Sequence, residues 1–541
     1  MAAIAAVYGR TIGHGFAFDD QMLVLDNPLV REPLSQSLDL VARRGGGFSY
    51  RPVRVLSYRV DHALAGGLAP GVFHASNLVW HAAAALALLS LARATVGSEG
   101  GALAAALLFA VHPLSSEAVA YVAGRRDLLC GFFALVALRL WWWFLDLASV
   151  RSGDARDAGD AGRRAASVPR RGAAGAALGG AVVAGLLAVG SKETALVVPV
   201  LAALLAIVHA RRQRTSPSAA RARGFRLALA LAAVALACVG AAVLLYPDRL
   251  TPLAARASQA ALAPQPALTL DVLGRYLALA LWPARLSADY RAGAYALPAT
   301  ALDASAVAAA LALAAVVGAA VWLLARGAVA GAGLLWFLAS LLPVAQIVPY
   351  AEVIAEHNAY LGLAGLALAA GEGVSAGLLR RPQATAAVAG VVLAALAART
   401  FVRAGDWRDD ETLWRATLSV APGSLRARYN LGVALVQANR LAEARDALVA
   451  AYDVAPDDRD VLLALAGVET RLGNHARARD LARRALAERR DARALLALGW
   501  AQLGLGAADA AAATFEEAIA AGGPGDAQRG LELARRRRAR P

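Results

Sequence analysis

Cysteine, lysine and charge are all scarce in this chain of 541 residues. Its two cysteines, Cys130 and Cys238, both fall inside apolar runs. That excludes a disulfide framework and a thiolate metal site, and leaves packing as their use. Charged residues make up 18% of the sequence, too few for a soluble chain of this length. No glycine-rich phosphate loop, His-Glu-x-x-His or Gly-x-Ser-x-Gly pattern is present, so nucleotide hydrolysis, zinc proteolysis and serine hydrolysis have no support. What the chain has instead is apolar residues, 59% of the total, with a mean hydropathy of +0.51. That composition reads as an integral membrane protein.

The net charge of +15 does not point to nucleic acid. Arg151, Arg156, Arg163, Arg164, Arg170 and Arg171 fall in one segment between apolar runs; Arg211, Arg212, Arg214, Arg221, Arg223 and Arg226 fall in another. No aromatic residues interleave them to stack bases, and both read as cytoplasmic loops that fix orientation. A bilayer core of about 30 Å needs roughly 20 apolar residues per helix. Runs of that kind occur near 74–93, 102–121, 127–147, 174–191, 194–210, 226–246, 305–325, 329–349, 358–378 and 384–400. The stretch 271–283 is shorter and carries Arg275, as an interfacial or re-entrant helix would. Counted from an outside first loop, both arginine-rich segments land inside, as do Arg326 and Arg380-Arg381; Arg43, Arg44, Arg51, Arg54 and Arg59 in the first loop run against this rule. The apolar stretch Ala2 to Val7 is too short to cross a bilayer. It reads as a first helix truncated by a misplaced start, or as a true beginning whose loop is anchored by its neighbours.

After Arg403 the apolar runs stop and an amphipathic helical pattern repeats. Leu431-Gly432, Ala444, Ala451 and Pro456 are followed by Ala466, Ala478 and Ala485, then by Gly499, Ala511 and Ala518. Small residues at these offsets allow the two helices of a tetratricopeptide hairpin to approach closely, with Tyr429, Leu448 and Phe515 expected in the hairpin core. The spacing predicts about three repeats. The run Arg535 to Arg538 reads as a solvated helix end.

The chemistry-bearing segments are FAFDDQMLVLDNPLV (16–30), SYRPVRVLSYRVDHAL (49–64), GVFHASNLVWH (71–81), HPLSSEAVAYVAGRRDLL (112–129), SKETALVVP (191–199), LWPARLSADY (281–290) and AEHNAYLG (355–362). In this order, and joined to the repeats, they resemble the multi-spanning GT-C glycosyltransferases with tetratricopeptide repeats, the transmembrane protein O-mannosyltransferases and their bacterial relatives. The resemblance implies transfer of a mannose-like sugar from a polyprenyl-phosphate carrier to a protein hydroxyl on the extracytoplasmic side, with the repeats recruiting the acceptor. It also implies an all-α fold: a polytopic helical bundle of about 10–11 spans over residues 1–403, with 9–73 as the first outer loop, then an α-solenoid over 404–541. A bacterial-type inner membrane and an extracytoplasmic repeat domain follow. The expected partners are the carrier-linked sugar, a protein acceptor and membrane lipid, with no nucleic acid.

A hydroxyl attacking an anomeric carbon needs a base, and a phosphate leaving group needs cations or oriented donors. Asp19 and Asp20 are the candidate base and its partner, because adjacent carboxylates do not easily project into one pocket; the resemblance favours Asp19 as base, and an Asx turn or helix cap is the plainer reading. Glu117, near the outer end of a span, matches the second acidic position of the family. Arg125, Arg126 and Asp127 follow on the same side, and an arginine there can hold phosphate bidentately or snorkel to the interface. Lys192 is the only lysine among 55 Lys and Arg residues; beside Glu193 it reads as a compact donor for phosphate or as Glu193's ion-pair partner, with chance retention as the alternative. His357 lies where the family carries a basic residue, though Asn358 stands in that region. His112 beside Pro113 reads as a helix-end hydrogen-bonder before a metal ligand. No cofactor is required, and a divalent metal is left open. Two other readings stand: an oligosaccharide polymerase or ligase, whose large late periplasmic loop the chain lacks, and a non-catalytic membrane scaffold whose repeats bind partners.

Overall fold

The computed structural model describes residues 1–37, 51–149, 160–213, 231, 235–240, 266–291, 294, 296–298, 300, 302–347, 352–523 and 525–539, the side chains of 160–171 excepted. Arg43, Arg44, Arg151, Arg156, Arg214, Arg221, Arg223 and Arg226 lie outside the described residues, as does the expected span 226–246 apart from 231 and 235–240. The regular structure of the described residues is helical, without strands. The chain forms two compact units: Met1–Leu286 with Leu297–Asp409, and Ser287–Ala296 with Asp410–Pro541.

In the first unit, 7 helices among the described residues are long and apolar enough to cross a membrane: Pro70–Thr95, Val122–Ser149, Gly172–Ser191, Glu193–Arg212, Ala304–Ala325, Glu356–Arg380 and Pro382–Asp406. Two expected spans differ from the sequence pattern. The run 102–121 is broken into Glu99–Val111 and Pro113–Ala120, bent by 50°, because Pro113 has no N–H to continue the ladder and forces His112 into extended backbone. Past Ala328, the apolar run is helical only over Val329–Leu341 before a tighter turn at Leu342–Val344. The segment around Arg275 is a helix, Pro266–Leu281.

Close approach fixes the helix that carries part of the candidate site. A Cβ on Gly365 would lie 2.6 Å from the Gly333 carbonyl oxygen, and one on Gly371 would lie 2.6 Å from that of Gly101. Glu356–Arg380 is therefore packed backbone to backbone against two neighbours, a contact that only small residues allow.

The second unit is an antiparallel helix array. Asp410–Val420 precedes three hairpins, Leu425–Gln437 with Leu441–Val454, Arg459–Arg471 with His475–Glu488, and Ala492–Gly504 with Ala508–Ala520, and Gly525–Arg538 closes it. Ala444, Ala451, Ala466, Ala478, Ala485, Ala511 and Ala518 are all fully buried, which is what the repeat spacing requires. Gly432 and Gly499 lie where a Cβ would be 2.5 Å from Leu448 and 2.7 Å from Phe515. Leu448 and Phe515 fill the core as expected, whereas Tyr429 is only half-buried. The terminal arginines are a helix end with exposed partners, Arg535 on Glu516 and Arg538 on Asp509.

Candidate active site

The acidic pair opens a tight turn. Phe18 has φ of 57°, in the left-handed region, where a bulky residue is held at a cost of about 1–3 kcal/mol. The turn carries Asp20 inward: it is 1% exposed, its Oδ2 accepts from the Ala17 N–H at 3.1 Å and its Oδ1 from the Ala123 N–H at 2.7 Å. Burial pushes its carboxyl up to about 8; the Ala17 and Ala123 amides pull the other way and neighbouring Asp19 adds to the rise. Asp19 is half-buried. Downstream, Asn27 caps the short helix Pro28–Arg31 by accepting from the Leu29 N–H at 3.1 Å, and donates to the Leu23 carbonyl at 3.2 Å. The first loop is thus built by its own polar side chains.

A hydrogen-bonded chain of charged groups lies beside it. Glu117 accepts from the His357 N–H at 2.9 Å and from its ring Nδ1 at 2.7 Å. Arg126 donates to His357 Nε2 at 3.0 Å. A guanidinium can only donate, so Nε2 is the acceptor and the imidazole is the neutral Nδ1–H tautomer. Glu117 thus sets the ring, and the ring sets Arg126. Arg126 also reaches Asp127 Oδ2 at 3.3 Å, while Lys192 donates to Asp127 Oδ1 at 2.6 Å and to Asn358 Oδ1 at 2.8 Å. The structure therefore joins Glu117, Arg126, Asp127, Lys192 and His357. Asn358, read as an obstacle to a charged role, is the second acceptor of the lone lysine.

Other expected partners separate. Lys192 does not pair with Glu193; its ammonium goes to Asp127, and Glu193 instead takes both ends of the Arg51 guanidinium, at 3.1 and 2.9 Å. Arg125 is fully buried and turned into the fold, with Asp61 at 2.8 Å, the Phe73 carbonyl at 2.7 Å, and Asn77. Arg54, fully buried on helix Pro52–Ala65, is pushed down to about 10 by burial, with Tyr58 opposing and the like charges of Arg51 and Arg126 adding. Of the first-loop arginines that disturbed the orientation pattern, Arg51 and Arg54 thus belong to this cluster, whereas Arg59 donates to the Leu29 carbonyl and pairs with Glu32. Glu356 forms a buried ion pair with Arg403, both oxygens at 3.2 Å from Nη2. His112 receives the Leu114 N–H on Nδ1 at 3.2 Å and donates from Nε2 to the Ala280 carbonyl at 3.0 Å, the helix-end role. Among the described residues no group of three or more His, Cys, Asp or Glu converges as a metal site.

Tyr121 joins the halves. It is 1% exposed, and the charged groups that act on it are Asp19, Asp20 and Arg126. Its ring stacks on Trp407 at 5.1 Å and meets Phe18 at 5.8 Å. The sequence offers no signal for Tyr121 or Asn358 beyond their presence inside the quoted segments, and none for Arg403.

An all-helical membrane unit with an acidic turn against a buried arginine-lysine cluster, followed by a repeat array, defines a class: polytopic membrane proteins with a tetratricopeptide tail. Known proteins agree. The tetratricopeptide-repeat family profile matches residues 395–459, 436–492 and 463–527. Protein O-mannosyl-transferase TMTC4 of Mus musculus is 25% identical over 488 residues, covering 79% of this chain and 62% of its own. Protein O-mannosyl-transferase Tmtc2 of Drosophila melanogaster is 38% identical over 130 residues, 23% of this chain and 14% of its own. TMTC2 of Homo sapiens is 32% identical over 162 residues, 26% and 19% of the two chains. The chain spans less than two thirds of the length of these curated relatives. Among solved structures, the oligosaccharyltransferase AglB from Archaeoglobus fulgidus, in complex with an inhibitory peptide and a dolichol-phosphate, aligns with a TM-score of 0.39 and 13% identity over 82% of this chain and 59% of its own. The chain is similar over most of its length to the repeat-bearing protein O-mannosyl-transferases.

Proposed function

We propose that this protein is an inverting membrane glycosyltransferase that moves a mannose-like sugar from a polyprenyl-phosphate carrier to a protein hydroxyl on the extracytoplasmic side. The observation that carries the reading is the juxtaposition of the Asp19-Asp20 turn with Arg54, Arg126 and Tyr121. A base and a phosphate-binding cation cluster are the two things this transfer requires. Asp19 is the base. Asp20, held by two amides and pushed up to about 8 by burial, keeps its proton at neutral pH and positions the turn. The acceptor oxygen attacks the anomeric carbon and its proton passes to Asp19. The bond from that carbon to the phosphate oxygen breaks, and the carrier phosphate leaves with the electron pair beside Arg126 and Arg54. Glu117 and His357 orient Arg126, and Lys192 with Asn358 and Asp127 braces the same wall. The transferase portion is residues 1–403, and the repeats, residues 404–541, recruit the acceptor on the same side of the membrane. The similarity to protein O-mannosyl-transferases supports this choice of donor sugar and acceptor.

The test is transfer from a mannosyl-phosphoryl-polyprenol to an acceptor peptide by purified protein. Asp19→Asn is expected to lose about 10²–10⁴-fold in turnover with donor binding intact, and Asp20→Asn to lose less. Near-normal transfer by both variants would remove the enzymatic reading.

A further inference from the structure

The Tyr121 hydroxyl is a buried donor for which the described residues supply no hydrogen-bond partner. Buried polar groups in folded proteins are almost always satisfied, and the exceptions cluster where a ligand completes them. Tyr58 shows the usual case in the same cluster: also fully buried, its hydroxyl donates to the Val122 carbonyl at 3.1 Å. Tyr121 is one residue away in the chain from that carbonyl and lies among Asp19, Asp20 and Arg126, yet its oxygen meets none of them in a hydrogen bond. Its proton is firmly held, since burial first, and then the neighbouring acidic residues with Asp19 foremost, push the phenol well above its ordinary range. At physiological pH it therefore keeps an O–H that it can offer to an incoming oxygen. Trp407, on one side of its ring, is buried, while Phe18, against the same ring, is half-buried and held in left-handed backbone.

We infer that Tyr121 Oη donates to a phosphoryl oxygen of the lipid-linked sugar donor, alongside the Arg126 guanidinium. A phosphoryl oxygen fits better than a sugar hydroxyl, because the cation that shares the position, Arg126, attracts negative charge and the phosphate carries it. The role deepens the proposed glycosyl transfer and rests on it. A neutral donor aimed at the leaving phosphate gains strength as charge develops there and costs no reorganisation.

Tyr121→Phe is an unusually clean test, because it removes one atom for which the described residues supply no hydrogen-bond partner. The measurements are binding of a polyprenyl phosphate without sugar, transfer from the mannosylated carrier, and thermal unfolding, all on the purified full-length protein. The expected result is about tenfold or more weaker carrier binding, the scale of a lost hydrogen bond to a charged group, a matching rise in donor KM, and unchanged or higher thermal stability. Tyr58→Phe, whose hydroxyl has a protein partner, is expected to show the reverse: lower stability with carrier affinity intact. Wild-type carrier affinity in Tyr121→Phe overturns the assignment, and does so specifically for the phosphate if turnover alone falls, since the contact would then be to the sugar. A wild-type protein that binds no polyprenyl phosphate in this assay refutes the carrier reading itself, and the Tyr121 role with it.

Discussion

Lys192 offers the sharpest energetic test of the charged wall. Its Nζ lies 2.6 Å from Asp127 Oδ1, with side-chain exposures of 6% and 5%. At an effective dielectric near 20, unit charges at that separation attract by about 6 kcal/mol, most of which is spent on desolvating them. What is measurable is the loss on removing one partner, which strands the other in a dry site and costs about 3–5 kcal/mol. Lys192→Met is expected near the lower end, about 3 kcal/mol, because Arg126 still reaches Asp127 Oδ2 at 3.3 Å. Asp127→Asn is expected to cost a comparable amount, moderated by the Asn358 oxygen at 2.8 Å from the ammonium. The combination Lys192→Met with Asp127→Asn removes both charges together and is expected to fall short of the sum by about 2 kcal/mol or more. The assay is reversible SDS titration from mixed micelles, read by circular dichroism on all four proteins. Additivity within about 0.5 kcal/mol would show that the two groups do not depend on each other, and the wall would lose its central pair.

Three further outcomes follow from particular contacts. Asp20 carries a folded pKa of about 8 against an ordinary 3.8, so the folded state holds a proton that the unfolded state releases; its contribution is full below the unfolded pKa and fades as pH rises through about 8, by about 1 kcal/mol per pH unit in that window. Unfolding followed from pH 5 to 9 is expected to show wild type losing ground to Asp20→Asn as pH climbs, and parallel curves would contradict the burial of an acid there. Arg403→Gln takes the guanidinium away from buried Glu356 and is expected to cost about 3–5 kcal/mol, while adding Glu356→Gln restores most of the stability; failure of the second change to rescue would place the loss elsewhere. In the repeats, Gly499→Val puts a side chain where even a Cβ would be 2.7 Å from the Phe515 ring, and overpacking of about 1–3 kcal/mol is expected to open Ala492–Gly504 to limited proteolysis before the membrane helices.

The sequence was most legible where one physical requirement repeats. Apolar length alone located helices such as Pro70–Thr95 and Ala304–Ala325, since nothing else satisfies the backbone in lipid. Buried alanines at repeat offsets located the hairpins, because two helices approach closely only over small side chains. Legibility failed where a local rule met a tertiary one. Apolar length from 102 to 121 predicts a straight span, but one proline outweighs it and breaks the helix at His112. The repeat spacing placed Tyr429 in the hairpin core, but it lies within reach of the charged groups Asp460, Arg493 and Asp458 and is only half-buried. The positive-inside rule treated Arg51 and Arg54 as stray loop charge, whereas both are buried, Arg51 on Glu193 and Arg54 among the site arginines.

The candidate site shows the same limit at finer grain. Residue type and order nominated Glu117, Arg126, Asp127, Lys192 and His357, and the fold brings all five into one hydrogen-bonded chain. Partner choice within that chain was not readable, because adjacency in sequence competes with distance in space. Lys192 is next to Glu193 in the chain, but Lys192 stands in extended backbone and Glu193 begins a tight helical turn, so the two side chains diverge to Asp127 and Arg51. Arg125 and Arg126 diverge for a similar reason: they are consecutive on the first turn of a helix, about 100° apart around its axis, so one faces the packed interior at Asn77 and Asp61 and the other faces His357. After the left-handed turn at Phe18, Asp20 is likewise committed inward to the Ala17 and Ala123 amides, while Asp19 stays half-buried. In the Arg125/Arg126 and Asp19/Asp20 pairs one member holds the fold, so single substitutions there are expected to report different things: stability at Arg125 and Asp20, and, under the proposed transfer, function at Arg126 and Asp19.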